Sequence, residues 1–298
     1  MSTAWREAPE RGTARGMALM AGLTLRLGRG ATRCLLPPLC LYYYASSPTA
    51  RHASREFLGR ALGRKPGTRD VLRHYHAFAS TLHDRLLLAA GRVGVLDIEL
   101  SGTAQVENLL AAGRGCLLVG AHLGSFEALR ALGRVHNRPI SVVMHEENAR
   151  KTQAVFSRLA PDLQQRVIAS GRPETMLRIS ECLGRGEMVG MLGDRPIGAE
   201  RSASLPFLGA PARFPLGPWL LAAVLGCPTA LFFGLYHGGS RYEVVLEAFG
   251  PGERVPREQR DAAAEQALAR YVARLEHYVR LAPYNWFNFY DFWQAGSA

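Results

Sequence analysis

One short segment carries two residues whose types and spacing suit acid–base chemistry. In Leu117-Leu118-Val119-Gly120-Ala121-His122-Leu123-Gly124-Ser125-Phe126-Glu127 a histidine is followed five positions later by a glutamate. On a regular helix the two would point about 140° apart, since each residue turns about 100°. They meet only if His122 lies in a turn and Glu127 in the helix that follows. Gly124 loosens such a turn, and Ser125 can cap that helix. A neutral imidazole within reach of a hydroxyl takes its proton as the oxygen attacks a thioester carbonyl. A carboxylate on the other ring nitrogen fixes the tautomer and stabilises the imidazolium that forms. Backbone N–H groups at the helix start can support the developing oxyanion. The chemistry predicted is acyl transfer, with His122 as general base, Glu127 orienting it, and the acceptor attacking directly. The plainer alternative is a histidine that caps a turn and a glutamate that serves as a first-turn helix acid.

Other polar residues are ambiguous. Asp194 and Arg195 follow an expected strand; they either hold a phosphate or sugar group, for which a guanidinium is suited, or form a local ion pair. Arg172 and Arg213 leave the same two options open. His145-Glu146-Glu147-Asn148 lacks the second histidine of a His-Glu-x-x-His zinc helix, so a loop acid cluster is expected and no metal. His74 and His76 flank Tyr75 on one helix without sharing a face and are taken as structural or surface residues. The five cysteines include no Cys-x-x-Cys pair, which argues against a disulfide framework and a zinc site and for buried reduced thiols. No Walker A, Gly-x-Gly-x-x-Gly or Gly-x-Ser-x-Gly motif is present.

The elements that must position His122 follow from periodicity. Residues 49–63 and 68–91 read as helices; in the second, Val71, Leu72, Tyr75, Phe78, Leu82 and Leu86 recur at helical spacing, and Asp70 can cap its start. Strands are expected at 96–100, 116–119, 140–144, 166–169 and 188–192, with helices near 125–135, 149–159 and 174–185 between them. A helix at 215–226, strands at 228–236 and 241–248, a helix at 257–280 and an aromatic tail at 284–293 complete the chain. This alternation predicts an α/β fold with a mixed, largely parallel sheet flanked by helices, and His122 at the carboxyl end of a buried strand, where such sheets place ligands.

Charge locates a second feature. The net charge is +11, yet residues 1–75 hold twelve arginines and one lysine against four acidic residues. A nucleic-acid binder would spread its charge or concentrate it on a recognition element, so no nucleic-acid partner is expected. A basic segment beside an apolar one suits an anionic membrane surface. Arg26, Arg29 and Arg33 interrupt the apolar stretch, and Pro37 and Pro38 break or kink a helix there. No run reaches the roughly 20 apolar residues of a comfortable span. Residues 16–45 are therefore expected to form an amphipathic, interfacial or shallowly inserted anchor with arginines reaching the headgroups, a buried core helix being the competing reading. The implied layout is a membrane-associating segment at 1–48 and a catalytic domain at 49–298.

Four motifs in order carry a family resemblance. The His122–Glu127 segment resembles the His-x4-Asp/Glu motif of the lysophospholipid acyltransferase superfamily. Within that superfamily the chain is most similar to the lauroyl/myristoyl acyltransferases of lipid A synthesis. Gly193-Asp194-Arg195-Pro196 resembles their Asp-containing block after the next strand, and Leu205-Pro206-Phe207-Leu208-Gly209-Ala210-Pro211 resembles their Pro-Phe-x-Gly signal. Gly226-Cys227-Pro228-Thr229 resembles the Gly-x-Pro that leads into a strand. The similarity runs over residues 15–293. It implies a glycerolipid-acyltransferase-like fold, an acyl carrier protein or coenzyme A thioester as donor with no other cofactor, and a lipid acceptor at the cytoplasmic face of the bacterial inner membrane. It also implies substrate contacts from Gly124, Ser125, Asp194, Arg195, Arg172, Phe207 and Gly209. The tail departs from the family. Lipid A enzymes end in a Trp-x-His-x-Arg-Arg-Phe-like segment, whereas Tyr284–Trp293 has no basic pair and is more similar to relatives in aryl-polyene and xanthomonadin-type pigment pathways. Two other functions remain: a thioesterase using the same dyad, and a non-catalytic, membrane-anchored lipid-binding protein.

Overall fold

The computed structural model describes residues 14–111, 113–135, 138, 140–144, 166–196 and 200–293. Four helices come first: α1 (Ala14–Arg33), α2 (Leu36–Ser46), α3 (Pro48–Leu62) and α4 (Thr68–Ala89). Alternation follows with β1 (Asp97–Ser101), α5 (Thr103–Leu110), β2 (Cys116–Gly120), α6 (Phe126–Val135), β3 (Ile140–Met144), β4 (Val167–Ala169), α7 (Thr175–Gly184) and β5 (Met188–Leu192). The remainder comprises β6 (Ser202–Phe207), β7 (Ala210–Pro215), α8 (Gly217–Leu225), β8 (Thr229–Gly238), β9 (Arg241–Gly250) and α9 (Arg260–Leu281). The expected helix at 149–159 and the His145–Asn148 cluster lie outside the described residues.

Seven strands form one sheet in the order β1-β9-β8-β2-β5-β3-β4, parallel throughout except for the antiparallel β8–β9 pair. This is the expected mixed, largely parallel α/β fold. β2 is the central strand and is buried along its whole length. Its side chains alternate between two cores, as strand geometry requires. Leu117 and Val119 join Phe57, Tyr271, Leu275 and Trp286 on one face, while Cys116 and Leu118 join Ala77, Leu88, Ala128 and Leu129 on the other. Four cysteines are buried as expected, but Cys34 is exposed.

A two-stranded hairpin, β6–β7, has no counterpart among the expected elements. Pro206, Pro211 and Pro215 argue against strands, because proline cannot donate to a ladder. An isolated two-stranded ribbon has free edges on both sides and tolerates them. Its turn is Leu208-Gly209, both at positive φ (50° and 82°), the geometry of a tight two-residue hairpin.

The N-terminal helices differ from expectation in which way they face. α1 is kinked at Gly28, whose φ of 83° is not helical, and Pro37 and Pro38 fall in the first turn of α2, where a missing N–H is harmless. Arg29 and Arg33, expected to reach headgroups, turn inward instead. Arg29 makes two hydrogen bonds to Asp84 at 2.7 and 2.8 Å, and Arg33 bonds the Tyr236 hydroxyl at 2.8 Å. Asp84 on α4 is fully buried and also accepts from Tyr242 at 2.8 Å. Thr24 and Thr32 face the same cluster through His83 at 3.1 and 2.8 Å. The physical reason is the carboxylate: a buried Asp84 without cationic partners would be strongly destabilising, and the arginines of α1 are the ones that reach it. With its polar side thus occupied, α1 leaves Leu19 and Leu27 exposed, and Leu35, Leu39, Leu41 and Tyr42 are exposed on and beside α2. Phe78 and Leu82, on the expected apolar face of α4, are also partly exposed. Among the described residues no helix is long and apolar enough to cross a membrane.

Candidate active site

Strand register brings the chemistry together. β2 and β5 are parallel neighbours with Gly120 opposite Leu192. Two residues further along each strand come His122 and Asp194. The ladder continues past the strand ends, with Gly193 N–H donating to Gly120 C=O at 2.9 Å, so those two residues emerge side by side. The His122 Nδ1 to Asp194 Oδ1 distance is 2.8 Å. An ionised carboxylate only accepts, so Nδ1 carries the proton and the neutral ring presents Nε2 as a base. Nε2 has no hydrogen-bond partner among the described residues, and the side chain is 38% exposed.

Asp194 is fully buried and held from three sides. Besides His122, its Oδ2 accepts from Arg195 at 2.9 Å and from the Trp286 indole N–H at 3.0 Å. Burial pushes its carboxyl up, but the charge of Arg195 and the contact with His122 outweigh that and hold it well below the usual carboxylate range. Burial lowers the His122 imidazole below its ordinary value, and Arg195 pushes the same way, while Asp194 opposes both. The pair therefore rests as neutral imidazole beside carboxylate, the state a general base needs.

The turn that carries His122 is clamped by the aromatic tail and by β8. Phe287 N–H donates to His122 C=O at 2.9 Å, Gly124 N–H to Asn285 C=O at 2.8 Å, and Ser125 N–H to Gly234 C=O at 2.7 Å. Gly124 has a φ of 67°, and a Cβ there would lie 1.7 Å from the Gly234 oxygen, so only glycine fits. Ser125 caps α6 as expected, its Oγ accepting from Ala128 N–H at 3.3 Å. The expected oxyanion support from the helix start is narrowed, since the Gly124 and Ser125 amides are committed. Those of Phe126 and Glu127 have no partner among the described residues.

The expected His122–Glu127 pairing gives way to a different contact: the carboxylate on the imidazole is Asp194. Glu127 is buried in the first turn of α6, with one oxygen 2.9 Å from Arg85 on α4 and the other 3.4 Å from Arg130. The bond from Ser125 to β8 sets the direction of α6, which packs on α4 and points its acid there. Of the two options open for Asp194 and Arg195, the structure shows the local ion pair: the two side chains bond each other, Asp194 also bonds His122, and Arg195 is only 9% exposed. Arg172 lies in the turn after β4, at the sheet edge three strands from β2, with its guanidinium 3.9 Å from Glu174. Arg213, on β7, bonds Ser202. Phe207 is fully buried and packs on Trp286 with ring centroids 5.2 Å apart, so it supports the site from behind; Gly209 belongs to the hairpin turn. His74 is fully buried, bonded to Ser54 at 2.8 Å and to the Trp286 carbonyl at 3.0 Å.

Trp286 escaped sequence reasoning, because nothing in an aromatic tail says which indole meets a carboxylate. A signal did exist for Asp194: an acid two residues past a parallel strand, like the histidine two residues past another. A groove of about 470 Å³ between β6 and α9, lined by Leu205, Pro206, Ala273 and Glu276, includes neither member of the His122–Asp194 pair. Among the described residues no group of three or more His, Cys, Asp or Glu side chains is placed to hold a metal.

The family model for bacterial lipid A biosynthesis acyltransferases matches residues 95–295. The chain belongs to this family. No curated protein matches it. The matched span of this lipid A acyltransferase family member runs from just before β1 into the tail. It contains His122, Glu127, Asp194, Arg195 and Trp286, and leaves α1–α4 outside. Membership fixes the class as acyl transfer in lipid biosynthesis, and the His122–Asp194 pair falls within the part that matches.

Proposed function

We propose that this acyltransferase moves a fatty or polyene acyl group from an acyl carrier protein or coenzyme A thioester to a hydroxyl or amine of a lipid-like acceptor. The observation that carries this is an imidazole with Nδ1 bonded to a buried carboxylate and Nε2 open, inside the span shared with a lipid acyltransferase family. Nε2 takes the acceptor's proton as the oxygen or nitrogen attacks the thioester carbonyl. The tetrahedral adduct then collapses, the C–S bond breaks, and the leaving thiolate takes the proton from the imidazolium. Asp194 keeps the ring in the Nδ1–H tautomer and stabilises the imidazolium, the part first expected of Glu127. Glu127 instead ties α6 to α4 through Arg85. The tail, which lacks the basic pair of lipid A enzymes, supplies Asn285, Trp286 and Phe287 to the site. That placement favours an acceptor other than a phosphorylated disaccharide and keeps the pigment-pathway branch as the working assignment.

The work is proposed to take place at the cytoplasmic face of a bacterial inner membrane. A helix in water turns its polar side outward; α1 turns Thr24, Thr32, Arg29 and Arg33 inward and leaves Leu19 and Leu27 outward beside the exposed Arg26, a mixture that suits an apolar exterior edged by headgroups. Acyl product and lipid acceptor both partition into a bilayer, and extraction would cost about 0.8 kcal/mol per methylene exposed.

The test is direct. Purified protein is given acyl carrier protein and coenzyme A thioesters, with and without lipid acceptor, and products are followed by mass spectrometry. Acceptor-dependent acyl-lipid is expected. Equal release of free acid without acceptor identifies a thioesterase, and no turnover of any thioester leaves a lipid-binding protein.

A further inference from the structure

We infer that Trp286 is a positioning residue of the acyltransferase site: through its indole N–H and its backbone it sets the basicity and aim of His122, which it does not touch through its side chain. This rests on the proposed role of His122 as base. Three observations converge on the one residue. Its Nε1–H donates to Asp194 Oδ2 at 3.0 Å, on the oxygen opposite the one that meets His122. Its backbone forms an antiparallel bridge with Leu123, and the next residue, Phe287, donates its N–H to the His122 carbonyl. One dipeptide of the tail thus fixes both the carboxylate and the turn that carries the imidazole.

Trp286 is itself held rigidly. Its ring is fully buried between Phe57 and Phe207, with centroids 5.0 and 5.2 Å away. Its carbonyl accepts from His74, whose Nδ1 faces Ser54. Burial holds His74 neutral, at about 4, so this strut keeps its hydrogen-bonding pattern at physiological pH.

The direction of the effect follows from charge. The ionisable groups around the pair are Arg195 beside Asp194, Tyr271 with its hydroxyl on the Gly120 carbonyl, Tyr290 beneath the Arg195 guanidinium, and His74 behind Trp286. Of the side-chain donors on Asp194 Oδ2, only the Trp286 indole is neutral. Each donor spreads the carboxylate's charge and weakens its pull on the imidazolium. Removing the indole N–H leaves Asp194 ionised by Arg195 but concentrates its charge toward His122, so the His122 midpoint rises. Asp194 also loses one of the contacts that fix its aim at His122, so kcat falls, while binding of an intact substrate surface leaves KM near its parent value.

The experiment uses two variants of the full chain. Trp286→Phe removes the donor and part of the ring. Trp286→β-(3-benzothienyl)alanine keeps the bicyclic shape and exchanges the N–H for sulfur. The His122 imidazole is titrated by NMR, which needs no substrate and so stands apart from whether acyl transfer is the reaction. The isostere is expected to melt with the parent, to raise the His122 midpoint by about half a unit or more, and to lower kcat roughly tenfold or beyond, with KM within about twofold. An isostere that folds with the parent's His122 midpoint and the parent's kcat overturns the inference, whatever becomes of Trp286→Phe. A moved midpoint in a protein that transfers no acyl group would keep the positioning role and discard the reaction.

Discussion

At the scale of single residues, two carboxylates compete for the role of orienting His122, and contact distance decides between them. Asp194 lies 2.8 Å from Nδ1, whereas Glu127 is engaged by Arg85 and Arg130. Asp194→Asn keeps the shape but loses the charge and favours the wrong tautomer, so kcat should fall by about three to four orders of magnitude. Glu127→Gln should destabilise the fold, because two guanidinia lose a buried anion, yet leave the pH midpoint of His122 in place. Steady-state kinetics with thermal melts on both variants checks this; a shifted midpoint in Glu127→Gln with an unshifted one in Asp194→Asn would reverse the assignment. The pH profile carries its own sign. The base works only when neutral, and burial together with Arg195 lowers the His122 value. Activity should therefore be flat through neutrality and fall on the acid side, with a midpoint in kcat/KM below the ordinary imidazole value of about 6.5. An acid limb at or above neutrality would contradict this.

At the scale of elements, the site depends on two backbones passing closer than side chains permit. Gly124 and Gly234 face each other, with the Ser125 N–H to Gly234 C=O bond between their strands of chain. Gly124→Ala adds a Cβ at positive φ and drives it into the Gly234 carbonyl. The conformational part alone costs about 1–2 kcal/mol, and relief of the clash must move the turn. The expected loss is at least about 3 kcal/mol, a fall in Tm on the order of 10 °C, with activity lost even well below the melt. A variant that melts and turns over like the parent would mean that the turn is not held as described.

At the scale of the whole molecule, Arg29 and Arg33 of α1 are spent inside the protein, while Leu19 and Leu27 face outward. The proposed membrane attachment should therefore be driven more by apolar insertion than by charge. Sedimentation with anionic vesicles should retain the protein at high salt, because Arg29 and Arg33 hold Asp84 and not headgroups. Replacing Leu19, Leu27 and Leu41 together with Ser should release it, since each buried leucine contributes about 1.5–3 kcal/mol, while transfer to a small soluble alcohol continues. Binding that survives the triple replacement, or that salt abolishes in the parent, would move attachment to another surface.

The sequence by itself determined most of the described helices and strands and their order, α5 and the hairpin excepted, because period and capping are local properties of the chain. The strands at 140–144 and 188–192 fall where the alternation puts them. It also placed His122 just beyond a buried strand, since an apolar run ended by glycine is a local signal too. The hairpin at 202–215 escaped because its prolines contradict strand propensity, and only its position away from the large sheet makes them harmless. What only the tertiary structure decided is who meets whom. β3 and β4 separate β2 from β5 along the chain, yet β5 inserts beside β2, so the partner of His122 is 72 residues away and not five. The same holds for Trp286, 92 residues from the carboxylate it holds, and for Arg29, 55 residues from Asp84. Side-chain periodicity reports which face a residue occupies, but strand order and register come from burying all the faces at once, and that choice belongs to the folded chain.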